Sequence, residues 1–415
     1  METVFEVMNA CCAFLDIHKE TVEATVRILQ GQRVRQETRR WSTTTGQIQA
    51  MADWLATHGV THAGMESTGV FWKPIFNILE TRFTVILTNP AHMKQVPGRK
   101  SDLRDSQWGA QLLQAGLLRG SFIPPRWQRE LRDYTRYRSQ LQAEQTRVAN
   151  RLHKVLEDAN IKLGSVATDI LGLSGRAMIH ALMEGEQDAA TLAEMAQGKL
   201  RTRRPELKLA LEGRVTPHHR RMLRMLWKEL AAVEECIADV DREIQEVTQP
   251  YTSQIEQMDP VPGIDRRTAE VVLAEVGANV DPFPSDQDLA SWAGMCPGNA
   301  ESGGRRLNGR TRHGNPWLRR TLAEVATVAS RMKGTYLAAQ FRRIAARRGK
   351  GRAVVAVGHS VLVAIYYLLT RREPYHELGA QYFDDHERDH LQRRLVHRLQ
   401  RLGFAVTLET LTTPS

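Results

Sequence analysis

Apolar residues run almost unbroken through CCAFLDI (11–17) and recur among polar ones in TVEATVRIL (21–29) and RVRQETRRW (33–41). The three segments read as consecutive strands, the second and third separated by a turn containing Gly31. The spacing then changes. In TTTGQIQAMADWLATHG (43–59), Ile48, Met51, Trp54 and Leu55 fall on one face of an amphipathic helix. THAGMES (61–67) and FTVILTNP (83–90) predict short strands, with a helix in FWKPIFNILE (71–80) between them. The order β-β-β-α-β-α-β-α implies a mixed sheet with helices on its faces.

Beyond SFIPP (121–125) the spacing becomes heptad. Leu131, Tyr134, Arg138, Leu141, Gln145, Val148, Leu152 and Val155 step by three and four, as do Leu223, Leu226, Leu230, Val233, Ile237, Val240, Ile244 and Val247. A repeat of 3.5 calls for a helix partner, supplied either within the chain or by a dimerising coiled coil. Arg138 and Gln145 are polar positions that can set its register. From Met258, VPGID and the apolar face Ala269, Val272, Leu273 and Val276 fit a helix–hairpin–helix; an ordinary helix connection fits equally. A Gly/Pro-rich loop (294–316) precedes helices near 316–331, 335–347 and 352–370, and ERDHLQRRLVHRLQRLGF (387–404) reads as a basic amphipathic helix. The expected domains are an α/β domain over 1–120, an all-α coiled-coil and dimerisation region over 121–255, a mainly helical C-terminal domain over 256–372 and a basic helical tail over 373–415.

Composition places the chain among ordinary globular proteins, 42% hydrophobic and 25% charged, and its net charge of +10 points to an anionic partner. The distribution is more telling than the total. Residues 300–352 hold fourteen Lys or Arg against Glu301 and Glu324, so the rest of the chain is nearly neutral. A solvated face usually mixes signs; this one does not, which favours nucleic acid. Cys11, Cys12, Cys236 and Cys296 form no CxxC pair or zinc spacing, and a reducing cytoplasm is the expected location. METVFEVMNA lacks the marks of a signal peptide, and the apolar run 353–369 reads as a buried helix rather than a membrane span.

GRKSDLRDSQWGAQLL (98–113) sets Asp102 and Asp105 three apart at a helix entry, ringed by Arg99, Lys100 and Arg104. Asp16 and Glu66 close two predicted strands, so a sheet can gather four acids at one edge. Such carboxylates suit Mg²⁺ or Mn²⁺, and the cations suit phosphate; taken singly, each acid fits a helix cap or ion-pair partner better than a metal ligand.

Five blocks now stand in order: LDIHKETVEATV (15–26), GMESTGVFWKP (64–74), NPAHMKQVPGRKSDLRDSQW (89–108), VPGIDRRTA (261–269) and ASWAGMCPGNAESGGRRLNGRTRHGNPWLRR (290–320). With the connecting helices and the FDD segment (383–385), they closely resemble the DEDD transposases of bacterial insertion sequences, described as bridge-RNA-guided recombinases. The resemblance implies an N-terminal RuvC-like (RNase H-like) domain whose metal-binding acids are Asp16, Glu66, Asp102 and Asp105. It also implies a serine nucleophile at Ser302, a structured guide RNA, donor and target DNA, and a dimer or dimer of dimers whose acidic and serine half-sites meet between subunits. Arg305, Arg306, Arg310, Arg312 and His313 then contact nucleic acid alongside Arg99, Lys100 and Arg104, while Gly303 and Gly304 let backbone approach the strand. PGID departs from the commoner PGIG and puts the charge of Asp265 beside the hairpin. A hydrolytic junction-resolving nuclease, and a non-catalytic RNA–DNA scaffold, are the alternative readings.

Overall fold

A computed structural model of the chain describes residues 8–67, 69–90, 93, 105–297, 300–302, 305–308, 311, 313–386 and 388–408. The chain divides into two compact units, residues 1–124 and 125–415.

The first unit is built on a five-stranded sheet of β1 (Cys11–Ile17), β2 (Thr21–Gln30), β3 (Arg33–Ser42), β4 (His62–Glu66) and β5 (Thr84–Thr88), in the spatial order β3-β2-β1-β4-β5. β1 runs antiparallel to β2 and parallel to β4, and β4 is parallel to β5. Because side chains alternate along each strand, the sheet buries two different sets of residues. Ala13, Leu15, Ala63 and Met65 pack with α1 (Thr45–Thr57) and α2 (Trp72–Leu79) on one face. Cys12 and Phe14 pack on the other with α3 (Asp105–Gln114), through its Trp108, Leu112 and Leu113. Ile48, Met51, Trp54 and Leu55 are the buried positions of α1, as their spacing predicts. The α3 face depends on two glycines. A Cβ on Gly109 would lie 2.3 Å from the Phe14 ring, and one on Gly64 would lie 2.6 Å from the same ring. Their absence lets helix, ring and strand close into contact.

In the second unit the two heptad series form long helices, α4 (Arg126–Asp158) and α5 (Pro217–Thr248). They pack on each other in antiparallel fashion within the chain. Arg138 meets Asp241 at 2.5 Å, Gln145 donates to Glu234 at 3.0 Å, and Arg151 meets Glu229 at 2.6 Å, so partner numbers fall as α4 advances. The polar heptad positions thus supply intrachain register. Leu141, Val148, Leu152, Leu223, Leu226, Leu230, Val240 and Ile244 are buried along the pair, each side chain contributing about 1.5–3 kcal/mol. Residues 161–215 cap one end as short helices around Ile179, Leu182, Leu192 and Leu207. The other end joins a core with α6 (Thr252–Met258), α7 (Arg266–Val276), α8 (Asp286–Trp292), α9 (Pro316–Ala329), α10 (Tyr336–Arg348) and α11 (Lys350–Arg371). The segments expected as 121–255 and 256–372 therefore share hydrophobic core: Leu131, Leu141, Val240 and Ile244 pack with Val272, Leu273, Leu322 and Ile365.

α11 is long and apolar enough to cross a membrane, but Val357, Val361, Leu362 and Ile365 lie in this core. The VPGID turn is also packed inward. Val261 and Ile264 are buried, Gly263 adopts φ +91°, and a Cβ there would lie 2.6 Å from the Val325 carbonyl oxygen of α9. The exposed Asp265 caps α7, accepting from the Thr268 amide at 2.8 Å. The 294–316 loop contains an unpredicted feature: Ala300–Ser302 (β6) pairs antiparallel with Arg305–Asn308 (β7).

Candidate functional site

The first unit places three of the four predicted acids on one side of its sheet. Leu15 pairs with Met65 across the parallel β1–β4 ladder. Asp16 and Glu66 follow one residue later, at the C-terminal ends of adjacent strands spaced by about 4.8 Å. Both share the parity of Phe14 and Gly64, so their side chains face the side covered by α3. Asp105 begins that helix. Its charge acts on Asp16: burial, then Asp105 and Glu23, push the Asp16 carboxyl above the usual range, against the opposing pull of His18. Asp102, Arg99, Lys100 and Arg104 lie outside the described residues.

Two further groups complete this face. His18 stands 3.4 Å from the Asp16 carboxylate. Glu23 pairs directly across the sheet from Asp16. Its carboxylate accepts from Ser106 Oγ at 2.8 Å, and Ser106 accepts from Thr25 Oγ1 at 2.9 Å. Ser106 is fully buried, so this polar chain fixes the start of α3 against β2 and holds Asp105 beside Asp16. Glu23 sits in LDIHKETVEATV, and the antiparallel β1–β2 hairpin was the signal that could have found it.

The donors are carboxylate oxygens, which suit Mg²⁺ or Mn²⁺ rather than a soft metal. Among the described residues, no group of three or more His, Cys, Asp or Glu stands close enough to hold an ion. The face as described is a partial oxygen-donor set, and the four-acid set requires Asp102.

In the second unit, the β6–β7 pairing sets Ser302 opposite Arg305, and Glu301 opposite Arg306. For these residues the description is confined to backbone. Gly303, Gly304, Arg310 and Arg312 lie outside the described residues, while His313 is exposed. An isolated Pro297–Thr311 bridge closes the base of the hairpin.

Two family models match the chain, and both describe a transposase. The IS110 DEDD-type model matches residues 15–161, and the IS116/IS110/IS902 family model matches residues 256–342, together more than half of the chain. A curated relative is the transposase for insertion sequence element IS1111A of Coxiella burnetii (strain RSA 493 / Nine Mile phase I). It is 30% identical over 165 residues, which make up 39% of this chain and 45% of that protein, so the match spans less than half of the relative's length. The class is thus a DEDD-type transposase. The chain belongs to the IS110 family.

Proposed function

We propose that this chain is a DNA recombinase that excises and inserts a mobile element by RNA-guided strand exchange. The observation that carries the reading is the placement of Asp16 and Glu66 at adjacent strand ends on the face covered by the helix that Asp105 begins; burial first, and then the charge of Asp105 against the pull of His18, raises the Asp16 pKa. A carboxylate held against its own repulsion suits a site organised around a cation. The strand order, with β1 between antiparallel β2 and parallel β4, supports an RNase H-like, RuvC-like reading of this unit.

In this reading Asp16, Glu66, Asp102 and Asp105 hold Mg²⁺ or Mn²⁺. When bound, such ions neutralise charge on a phosphodiester and stabilise its leaving oxygen. Ser302 Oγ attacks phosphorus; the new P–O bond forms as the bond to the sugar oxygen breaks. The serine proton passes to solvent, and the departing sugar oxygen takes one up. The phosphoserine ester conserves the bond energy. Attack by the hydroxyl of a second strand end releases Ser302 and joins the DNA without ATP. Arg99, Lys100, Arg104, Arg305, Arg306, Arg310, Arg312 and His313 hold the phosphate backbone of DNA and guide RNA. The working form is a homo-oligomer acting on the nucleoid in the bacterial cytoplasm.

The test is expression with the native flanking DNA in cells, followed by amplification of circular or rejoined junctions beside Ser302→Ala and Asp102→Ala. Loss of junctions in both variants at unchanged protein level supports the reading. Junctions that persist with Ser302→Ala but vanish with Asp102→Ala assign cutting to water or a hydroxyl and refute the serine nucleophile. Junctions that survive Asp102→Ala refute the metal half.

A further inference from the structure

The second unit contains a buried carboxylate that the scheme above does not use. Glu275, in the last turn of α7, is completely buried. Arg136 of α4 grips it with two bonds, Nε to Oε1 at 2.8 Å and Nη2 to Oε2 at 2.9 Å, and Arg132 Nε lies 3.4 Å from Oε2. Arg132 also donates to the carbonyl oxygens of Ala274 at 2.8 Å and Glu275 at 2.6 Å. The fourth member comes from elsewhere: Asn315 Nδ2 donates to Glu275 Oε2 at 2.6 Å.

Asn315 is also where the chain leaves the β6–β7 hairpin and enters α9. Its Oδ1 accepts from the amides of Trp317 at 3.0 Å and Leu318 at 3.2 Å, capping the helix. One amide side chain thus performs two tasks, with its oxygen starting α9 and its nitrogen tying that start to Glu275. The preceding residue is pinned as well. A Cβ on Gly314 would fall 2.2 Å from the Gly294 nitrogen, so the two backbones lie in direct contact where the loop departs and returns. With the Pro297–Thr311 bridge, the hairpin is held at its base, and the rigid part of that hold runs through Asn315 to a buried ion cluster.

We propose that Asn315 and Glu275 are positioning residues for Ser302, setting the base of the hairpin on which the nucleophile is presented. A short two-stranded ribbon has little stability of its own, so its precision is supplied by its base. The bidentate Arg136 clamp prevents the carboxylate from turning, and Asn315 reads its position. This proposal rests on Ser302 being the nucleophile.

The decisive variant is Asn315→Ser, which retains a good helix cap while being too short to reach Glu275; Asn315→Thr is a second variant of the same kind. Both are made in the full chain and compared with the parent and Ser302→Ala. Purified protein is read by melting temperature and by hydrogen exchange of the amides in 300–308; junction formation is measured in cells carrying the native element. With the melting temperature held, exchange in the hairpin rises about tenfold and junctions fall by up to about a hundredfold, the order expected when a reacting group is misplaced by about 1 Å. Parental exchange and junction levels in both cap-keeping variants overturn the proposal, as does faster exchange with parental junctions. If Ser302→Ala itself leaves junctions intact, the nucleophile reading fails first. The positioning role in catalysis then falls with it.

Discussion

Gly109→Ala tests the packing that places Asp105 beside Asp16. On an exposed helix this change is stabilising by about 1 kcal/mol, because alanine has the higher helix propensity. Here the new methyl would lie 2.3, 2.4 and 2.6 Å from three atoms of the Phe14 ring. Carbon atoms pack at about 3.5 Å or more, so ring and helix must separate by roughly 1 Å. Phe14 has little room to retreat: it is 1% exposed and lies against Gly64 on the neighbouring strand. The cost of such overpacking is about 1–3 kcal/mol, which equals or exceeds the propensity gain. In a unit of this size each net kcal/mol lowers the midpoint by about 4 °C. We expect the unfolding transition of residues 1–124, followed by calorimetry of the full chain, to fall by up to about 8 °C. Recombination junctions should fall further than stability does, because α3 carries Asp105 outward with it. A higher midpoint with parental junction yield would mean that propensity governs the site and that α3 does not pack on β1 as described.

Three other outcomes follow from contacts elsewhere in the chain. Adding Mn²⁺ or Mg²⁺ should raise the melting temperature, by the equivalent of about 2.7 kcal/mol at a hundred times the dissociation constant, and Asp16→Asn or Glu66→Gln should remove that rise; an unchanged rise in both excludes these acids as ligands. Glu275→Gln leaves Arg132 and Arg136 without their buried counter-charge and should cost about 3–5 kcal/mol in urea unfolding, whereas a loss under 1 kcal/mol would show the cluster to be solvated. Asp265→Ala removes the cap of α7 and should cost about 1 kcal/mol at neutral pH. Burial raises the Asp265 pKa, but the hydrogen bonds to Thr268 outweigh it and hold the carboxyl below its ordinary 3.8. The charge-dependent part of that stability is present above 3.8 and disappears as pH falls through the lower folded value. The difference between parent and variant should therefore shrink in acid, and one that grew as pH fell would contradict the capping role.

Much of this architecture could be read along the chain. Apolar and β-branched runs bounded by polar turns marked β1, β2 and β3, β1 being buried on both faces of the sheet, and the two heptad series marked α4 and α5 because each must bury a stripe. The heptads did not say where the partner lay. The antiparallel packing within one chain emerged only when Arg138 met Asp241 and Gln145 met Glu234, residues about a hundred positions apart. Glycine and arginine hide any alternation in the β6–β7 hairpin, and the Pro297–Thr311 bridge lies at its base.

The acids divide along the same line. The sequence alone determined which carboxylates are available, since Asp16 and Glu66 end short strands and Asp105 opens a helix, all positions set by local periodicity. Only the tertiary structure decided that these three share a face, because strand parity, the parallel register of β1 with β4 and the glycine contact under α3 must agree at once. The same holds for Glu23, Ser106, Glu275 and Asn315. Each looks like an ordinary polar residue in its own segment. Its role arises from a partner brought near by folding, and burial makes that partnership costly to break.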